Sequence, residues 1–171
     1  MERYVAFLRG VSPMNCRMPE LRRAFEAAGF EEVRTLLSSG NVAFSAPPEI
    51  VPVLEQKAEA AMDRHLGKAF RTIVRPSWYL QQLVARSPFS AYRLPADAKP
   101  IVTFLRTPYE GSLRLPIEHG QAVILELART EVYSAYVPDA KGPVFMTLLE
   151  KTFGKEITTR TLDTVRRCAA A

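Results

Sequence analysis

Apolar positions run nearly unbroken through RYVAFLR (Arg3–Arg9), the pattern of a strand central in a sheet. After the loop GVSPMNCR, the segment MPELRRAFEAAG spaces Met18, Leu21, Phe25 and Ala28 on one helical face. Pro19 suits the first turn of that helix, and Gly29 its end. VRTLLSSGNVAFSA predicts two strands turned at Ser38–Asn41. Helical spacing returns from Glu49 to Leu66, with Val51, Leu54, Ala58, Ala61 and Met62 inward, and stops at Gly67. AFRTIVR (Ala69–Arg75) is a fourth strand. The order is βαββαβ, a ferredoxin-like split unit that should form an antiparallel four-stranded sheet.

The second half repeats the alternation less clearly. PSWYLQQLVARSPF predicts a short helix capped by Ser77. The polar, proline-rich YRLPADAKP (Tyr92–Pro100) is a boundary. IVTFLRT (Ile101–Thr107) is a strand, and QAVILEL and EVYSAYV form a hairpin around Ala128–Thr130. GPVFMTLLEKTFG is a helix with Pro143 at its start and Gly154 past its end, and a last helix covers Leu162–Cys168. The expected fold class is α/β of the α+β type. It comprises a ferredoxin-like subdomain at 1–75, a helix and linker at 76–98, and a smaller α/β subdomain at 99–171.

Composition narrows the function classes. In 171 residues, 47% apolar and 24% charged is ordinary for a globular chain, and no run reaches the ~20 apolar residues of a membrane span. The N-terminus reads as a strand, not a signal peptide. Cys16 and Cys168 form no CxxC and no zinc spacing, so a reduced cytoplasmic protein without metal or cofactor is expected. A net charge of +5 leans toward anionic partners.

Three stretches can carry chemistry. Arg9, Gly10, Asn15, Cys16 and Arg17 fill the loop between the first strand and first helix, where glycine admits close backbone approach and the helix N-terminus offers N–H groups to an anion. An ordinary connection with surface arginines is the alternative. Ser38, Ser39, Gly40 and Asn41 make a turn that could border the same site. In ITTRTLDTV, Thr161 caps the last helix and Asp163 favours its dipole, which leaves Thr158, Thr159 and Arg160 unexplained. Those three could cradle a phosphate or carboxylate, or the arginine could bridge the molecule through a buried carboxylate. Neighbouring cationic charge could depress the Cys16 thiol, but no histidine lies near it. His65 suits a helix C-terminus, His119 sits in the loop PIEHG, and Trp78 and Tyr79 suit core or interdomain packing. Neither GxxxxGK[ST] nor GxGxxG occurs.

Together YVAFLRGV, MPELRRAFEAAGFEEVRT, SSGNVAFS, RSPF, VYSAYVPD and ITTRTLDTV resemble the landmarks of the bacterial domain-of-unknown-function family 1697, nearly along the whole chain. The resemblance implies a ferredoxin-like unit followed by a second α/β part, and no known activity. Arg9, Gly10, Ser39, Gly40, Asn41 and Arg160 match the family pattern. The family's usual glycine pair and lysine after the first strand are replaced by GVSPMNCRMP, with Arg17 near the basic position. Its Thr-Thr-Arg-Asn-Trp-Asn-Thr-Val is altered at Thr161, Leu162 and Asp163.

The expected function is binding of a small phosphorylated, nucleotide-like or otherwise anionic ligand at a cleft involving Arg9 and Arg160. The candidate residues are Arg9, Gly10, Arg17, Ser39, Gly40, Asn41, Thr158, Thr159 and Arg160. Nucleic acid is a less favoured partner, because no RNP-like aromatic run exists. A small enzyme with a thiol or acid/base site near Cys16, and an interaction or scaffold protein, are the alternatives.

Overall fold

The computed structural model describes residues 1–138 and 144–171. The chain divides into two compact units, Met1–Gln82 with Arg166–Ala171, and Leu83–Val165.

The first unit is the expected βαββαβ: β1 (Glu2–Leu8), α1 (Met18–Ala27), β2 (Glu31–Leu36), β3 (Asn41–Ala46), α2 (Val51–Leu66) and β4 (Thr72–Pro76). Its antiparallel sheet has the order β2-β3-β1-β4, with β1 central as its apolar run required. Tyr4, Ala6 and Leu8 join Val42, Phe44 and Val74 beneath Leu21, Phe25, Leu54 and Met62. At the centre Phe44 meets Phe30 at 4.3 Å, Phe25 at 5.8 Å and Tyr4 at 5.6 Å between ring centroids. The second helix starts two residues later than the pattern suggests, because Glu49 is engaged outside it: its N–H donates to Tyr4 Oη at 3.2 Å. The fourth strand begins at Thr72, not Ala69.

Glu55 is buried on α2, and its Oε2 accepts the N–H of Val74 on the edge strand β4 at 2.9 Å. A carboxylate thus satisfies a backbone donor that the sheet leaves over. The last residues of the chain return to this unit, where Arg3 Nε donates to Ala171 O at 3.2 Å.

From β4 the chain enters α3 (Ser77–Ala85). Ser77 is the first helical residue and its buried Oγ has no hydrogen-bond partner, so it does not supply the expected cap. Trp78 is 51% exposed and donates from Nε1 to Glu2 Oε1 at 2.9 Å, where core or interdomain packing was expected. Its indole is held at the surface by that bond.

The second unit carries an antiparallel sheet of order β6-β7-β8-β5-β9, built from β5 (Lys99–Leu105), β6 (Ile117–His119), β7 (Ala122–Ala128), β8 (Glu131–Tyr136) and β9 (Ile157–Thr161). His119 belongs to the three-residue β6, not to a loop; pairing with Ala122 holds it extended. Phe145 and Leu149 of α4 (Val144–Phe153) pack on Ile101, Leu105, Val132 and Ile157. The expected start of this helix at Pro143, with Gly142 and Asp139 before it, lies outside the described residues. The last helix, α5, spans Leu162–Ala169, and Thr161 Oγ1 accepts the Thr164 N–H at 3.2 Å, as the capping pattern predicts.

Candidate functional site

The β1–α1 loop is closed by its own polar groups. Asn15 Nδ2 donates to Gly10 O at 2.8 Å, the Ser12 N–H donates to Asn15 Oδ1 at 2.9 Å, and the Cys16 N–H to Ser12 O at 3.1 Å. Gly10 takes φ +81° at the exit from the strand. Asn15 is therefore committed to loop structure, and the loop presents Arg9 at one end and Arg17 at the other.

The β2–β3 turn meets the same end of the sheet. The Leu8 N–H donates to Gly40 O at 2.8 Å. Gly40 has φ +83°, and a Cβ there would stand 2.9 Å from Val11 Cβ and 3.0 Å from Leu8 Cβ. Only glycine fits, because the turn lies against the β1 backbone. Asn41 is fully buried, and its Nδ2 donates to Leu36 O and to Ser39 Oγ, each at 3.1 Å. Its amide closes the hairpin turn.

Pairing of β1 with β4 adds residues that local sequence patterns did not suggest. One step beyond the Leu8–Thr72 pair, the Arg9 N–H donates to Arg71 O at 2.9 Å. Two arginines thereby stand on adjoining strand ends. Arg71 makes a 3.7 Å ion pair with Glu59, and Lys68 lies in the same α2–β4 connection with its Nζ 4.8 Å from the Phe70 ring centre. Arg17 precedes α1 at its N-cap position and makes no side-chain capping bond there. Arg9, Arg17, Lys68 and Arg71 thus gather at one end of the sheet, with Glu20 and Glu59 as the acidic counterweights.

Cys16 is buried at this end. Burial pushes its thiol up, the Glu20 charge adds to that, and the Lys68 charge opposes it. The depressed thiol considered from the sequence is not what the surroundings produce, because desolvation outweighs the cations. Cys16 Sγ donates to Arg17 O at 3.8 Å.

Thr158, Thr159 and Arg160 belong to the other unit, on β9. Arg160 Nη1 donates to Thr158 Oγ1 and to Thr159 O, both at 2.7 Å. Thr158 is buried, and Thr159 Oγ1 donates to Met146 Sδ at 3.7 Å. Thus Arg9, Gly10, Arg17, Ser39, Gly40 and Asn41 share one sheet end of the first unit, and Thr158, Thr159 and Arg160 lie together on β9 of the second.

Sequence reasoning missed Lys68 and Arg71. Their signal was the fold, since a βαββαβ order pairs the first strand with the fourth. Among the described residues, no group of three or more His, Cys, Asp and Glu could hold a metal ion, and no helix is long and apolar enough to cross a membrane.

A family model described as protein of unknown function (DUF1697) matches residues 1–133. The match contains the whole Arg9–Asn41 group and ends before Thr158–Arg160. No curated protein matches the chain. Among solved structures, the conserved bacterial protein SP0830 from Streptococcus pneumoniae is similar at a TM-score of 0.68 and 20% identity, over 99% of this chain and 97% of that one. That likeness shows the fold alone.

Proposed function

We propose that this chain, which belongs to the protein-of-unknown-function family DUF1697, binds a small phosphorylated or otherwise anionic ligand at the end of its first sheet. The observation that carries the reading is the Arg9–Arg71 strand-end pair, joined by the 2.9 Å backbone bond. An anion at this end would meet charged donors from two adjoining strands, and charge-assisted bonds of that kind are the strong ones. Lys68 and Arg17 extend the positive field. Arg17 at the N-cap of α1 makes no side-chain capping bond, and the positive end of the helix adds to the field there. A discrete ligand fits better than nucleic acid, because the cluster is compact and Phe70, the ring beside Lys68, is buried and offers no face to a base. The raised Cys16 thiol gives no support to a thiol enzyme. Two buried cysteines outside any disulfide agree with a reducing, cytoplasmic setting.

The test is calorimetric titration with pyrophosphate and ATP of the wild type, Arg9→Ala, Arg71→Ala and Arg160→Ala. Loss of about tenfold in affinity is expected for Arg9→Ala and for Arg71→Ala, the size of one charged hydrogen bond. Unchanged affinity in both, with the fold intact by circular dichroism, would overturn the reading. If only Arg160→Ala loses binding, the ligand belongs to the Thr158–Arg160 group instead.

A further inference from the structure

Two apolar side chains stand exposed at the end of the first sheet that carries the arginines. Met14 is 94% exposed, the most open large apolar side chain among the described residues, and Leu37 is 44% exposed. Single exposed apolar side chains are common and need no explanation. These two stand on two different connections, the β1–α1 loop and the β2–β3 turn. The connections lie against each other, since a Cβ on Gly40 would stand 2.9 Å from Val11 Cβ.

Both backbones are fixed by polar groups. The Met14 N–H donates to Ser12 Oγ at 3.3 Å and the Asn15 N–H to Ser12 O at 3.2 Å, while the Asn15 amide ties the loop to Ser12 and Gly10. Leu37 follows Leu36, whose carbonyl accepts Asn41 Nδ2 at 3.1 Å. It takes φ +55°, a region that glycine and asparagine enter at little cost and leucine does not. Its exposed side chain recovers little of that cost by burial. A strained residue kept at a surface turn points to a use outside the unit's own packing.

We infer that the ligand of this end is a nucleotide, with its phosphates at Arg9, Lys68 and Arg71 and its base on Met14 and Leu37; this rests on the anion-binding reading above. A ligand that is phosphate alone leaves the two apolar side chains in water. A flat ring laid on them removes apolar surface from water. The unbranched thioether of Met14 adapts to such a ring and makes favourable sulfur–aromatic contacts. The charged and apolar parts of this end thus match the two halves of a phosphorylated nucleoside. An anionic bilayer fits less well. Glu20 and Glu59 stand among the cations, and Glu59 pairs with Arg71 at 3.7 Å. A broad anionic surface would meet those carboxylates, whereas a single ligand has to touch only the cations.

The experiment is a calorimetric titration of the full chain with ATP and with tripolyphosphate, which carries three phosphates and no nucleoside, at one ionic strength. ATP should bind about fivefold more tightly, the size of a thioether–aromatic contact. Met14→Ser combined with Leu37→Ser should remove most of that preference. Leu37→Gly separates binding from folding: glycine accepts the left-handed φ, so this variant should melt at or above the wild-type temperature and still lose part of the preference. Equal affinity for ATP and tripolyphosphate overturns the nucleotide inference and leaves the anion reading standing. If neither binds, both fall. A preference for ATP that survives Met14→Ser with Leu37→Ser also overturns the inference, because the base then rests elsewhere. So does co-sedimentation with phosphatidylglycerol vesicles that excess ATP does not displace, which would give the two apolar side chains to a lipid surface.

Discussion

Arg160 donates both of its 2.7 Å bonds from Nη1, one to Thr158 Oγ1 and one to Thr159 O. The Arg106 N–H donates to Glu156 O, which sets the alternation along the β5–β9 pair: Thr158 and Arg160 turn their backbone groups toward β5, and Thr159 turns its carbonyl away. Arg160 therefore satisfies an acceptor that the ladder leaves over on an edge strand, which is one way such edges are managed. Arg160→Ala should destabilise by about 1–2 kcal/mol, lowering Tm by about 2–4 °C per kcal/mol in a chain of this size. Arg160→Lys should lose less than alanine, because a cationic nitrogen can still reach Thr158 Oγ1 and Thr159 O. Thermal unfolding checks both, and a lysine variant as damaged as alanine would mean that the planar fork is needed. Cys16 gives a second expectation. Its buried thiol keeps its proton to higher pH than the same thiol in the unfolded chain. Its effect on stability is nil below the unfolded value, and it costs stability as pH rises past about 8.5. Iodoacetamide should modify Cys16 more slowly than a free thiol near neutral pH. Faster labelling of Cys16 than of free cysteine would contradict the burial argument and revive the thiol-enzyme reading.

At the scale of elements, the β2–β3 turn and the α2–β4 contact both constrain the first unit. Gly40→Ala combines a left-handed φ of +83° with a Cβ 2.9 Å from Val11 Cβ. Chemical denaturation should show a loss of about 2 kcal/mol or more. Glu55→Ala strands the Val74 N–H under α2 and should cost about 1–3 kcal/mol, whereas Glu55→Gln retains an acceptor and should cost less. Equal losses in the two Glu55 variants would mean that the charge, not the bond to Val74, is what matters. These contrasts also explain what could be read in advance. The βαββαβ order was legible because Leu21, Phe25, Leu54 and Met62 repeat at helical spacing and the strands between them are apolar runs. The turn at Ser38–Asn41 was legible from its residue types. The three-residue β6 was not, because so short an element has no period, and its extension comes from pairing with β7. Arg9, Gly40 and Asn41 were found as candidates by their local chemistry. Lys68 and Arg71 were not, because the β1–β4 pair brings Arg71 to Arg9 across 62 residues of sequence. Glu55 was hidden for a related reason: its acceptor role exists only once β4 has become a sheet edge.

For the whole molecule, charge decides how the proposed anion site responds to salt. The chain carries 23 Lys and Arg against 18 Asp and Glu, a net +5 at neutral pH with a pI near 9.4. A positive field of this kind concentrates anions around the protein and weakens as salt shortens the screening length to about 8 Å at physiological ionic strength. Pyrophosphate at the Arg9–Arg71 end feels both the local arginines and that general field. Its affinity should fall steadily as sodium chloride is raised, and Arg71→Ala should lower both the affinity and the steepness of its salt dependence. Parallel calorimetric series at several salt concentrations check this. If pyrophosphate affinity is unmoved by salt, the contact is not the electrostatic one that Arg9, Arg17, Lys68 and Arg71 can supply.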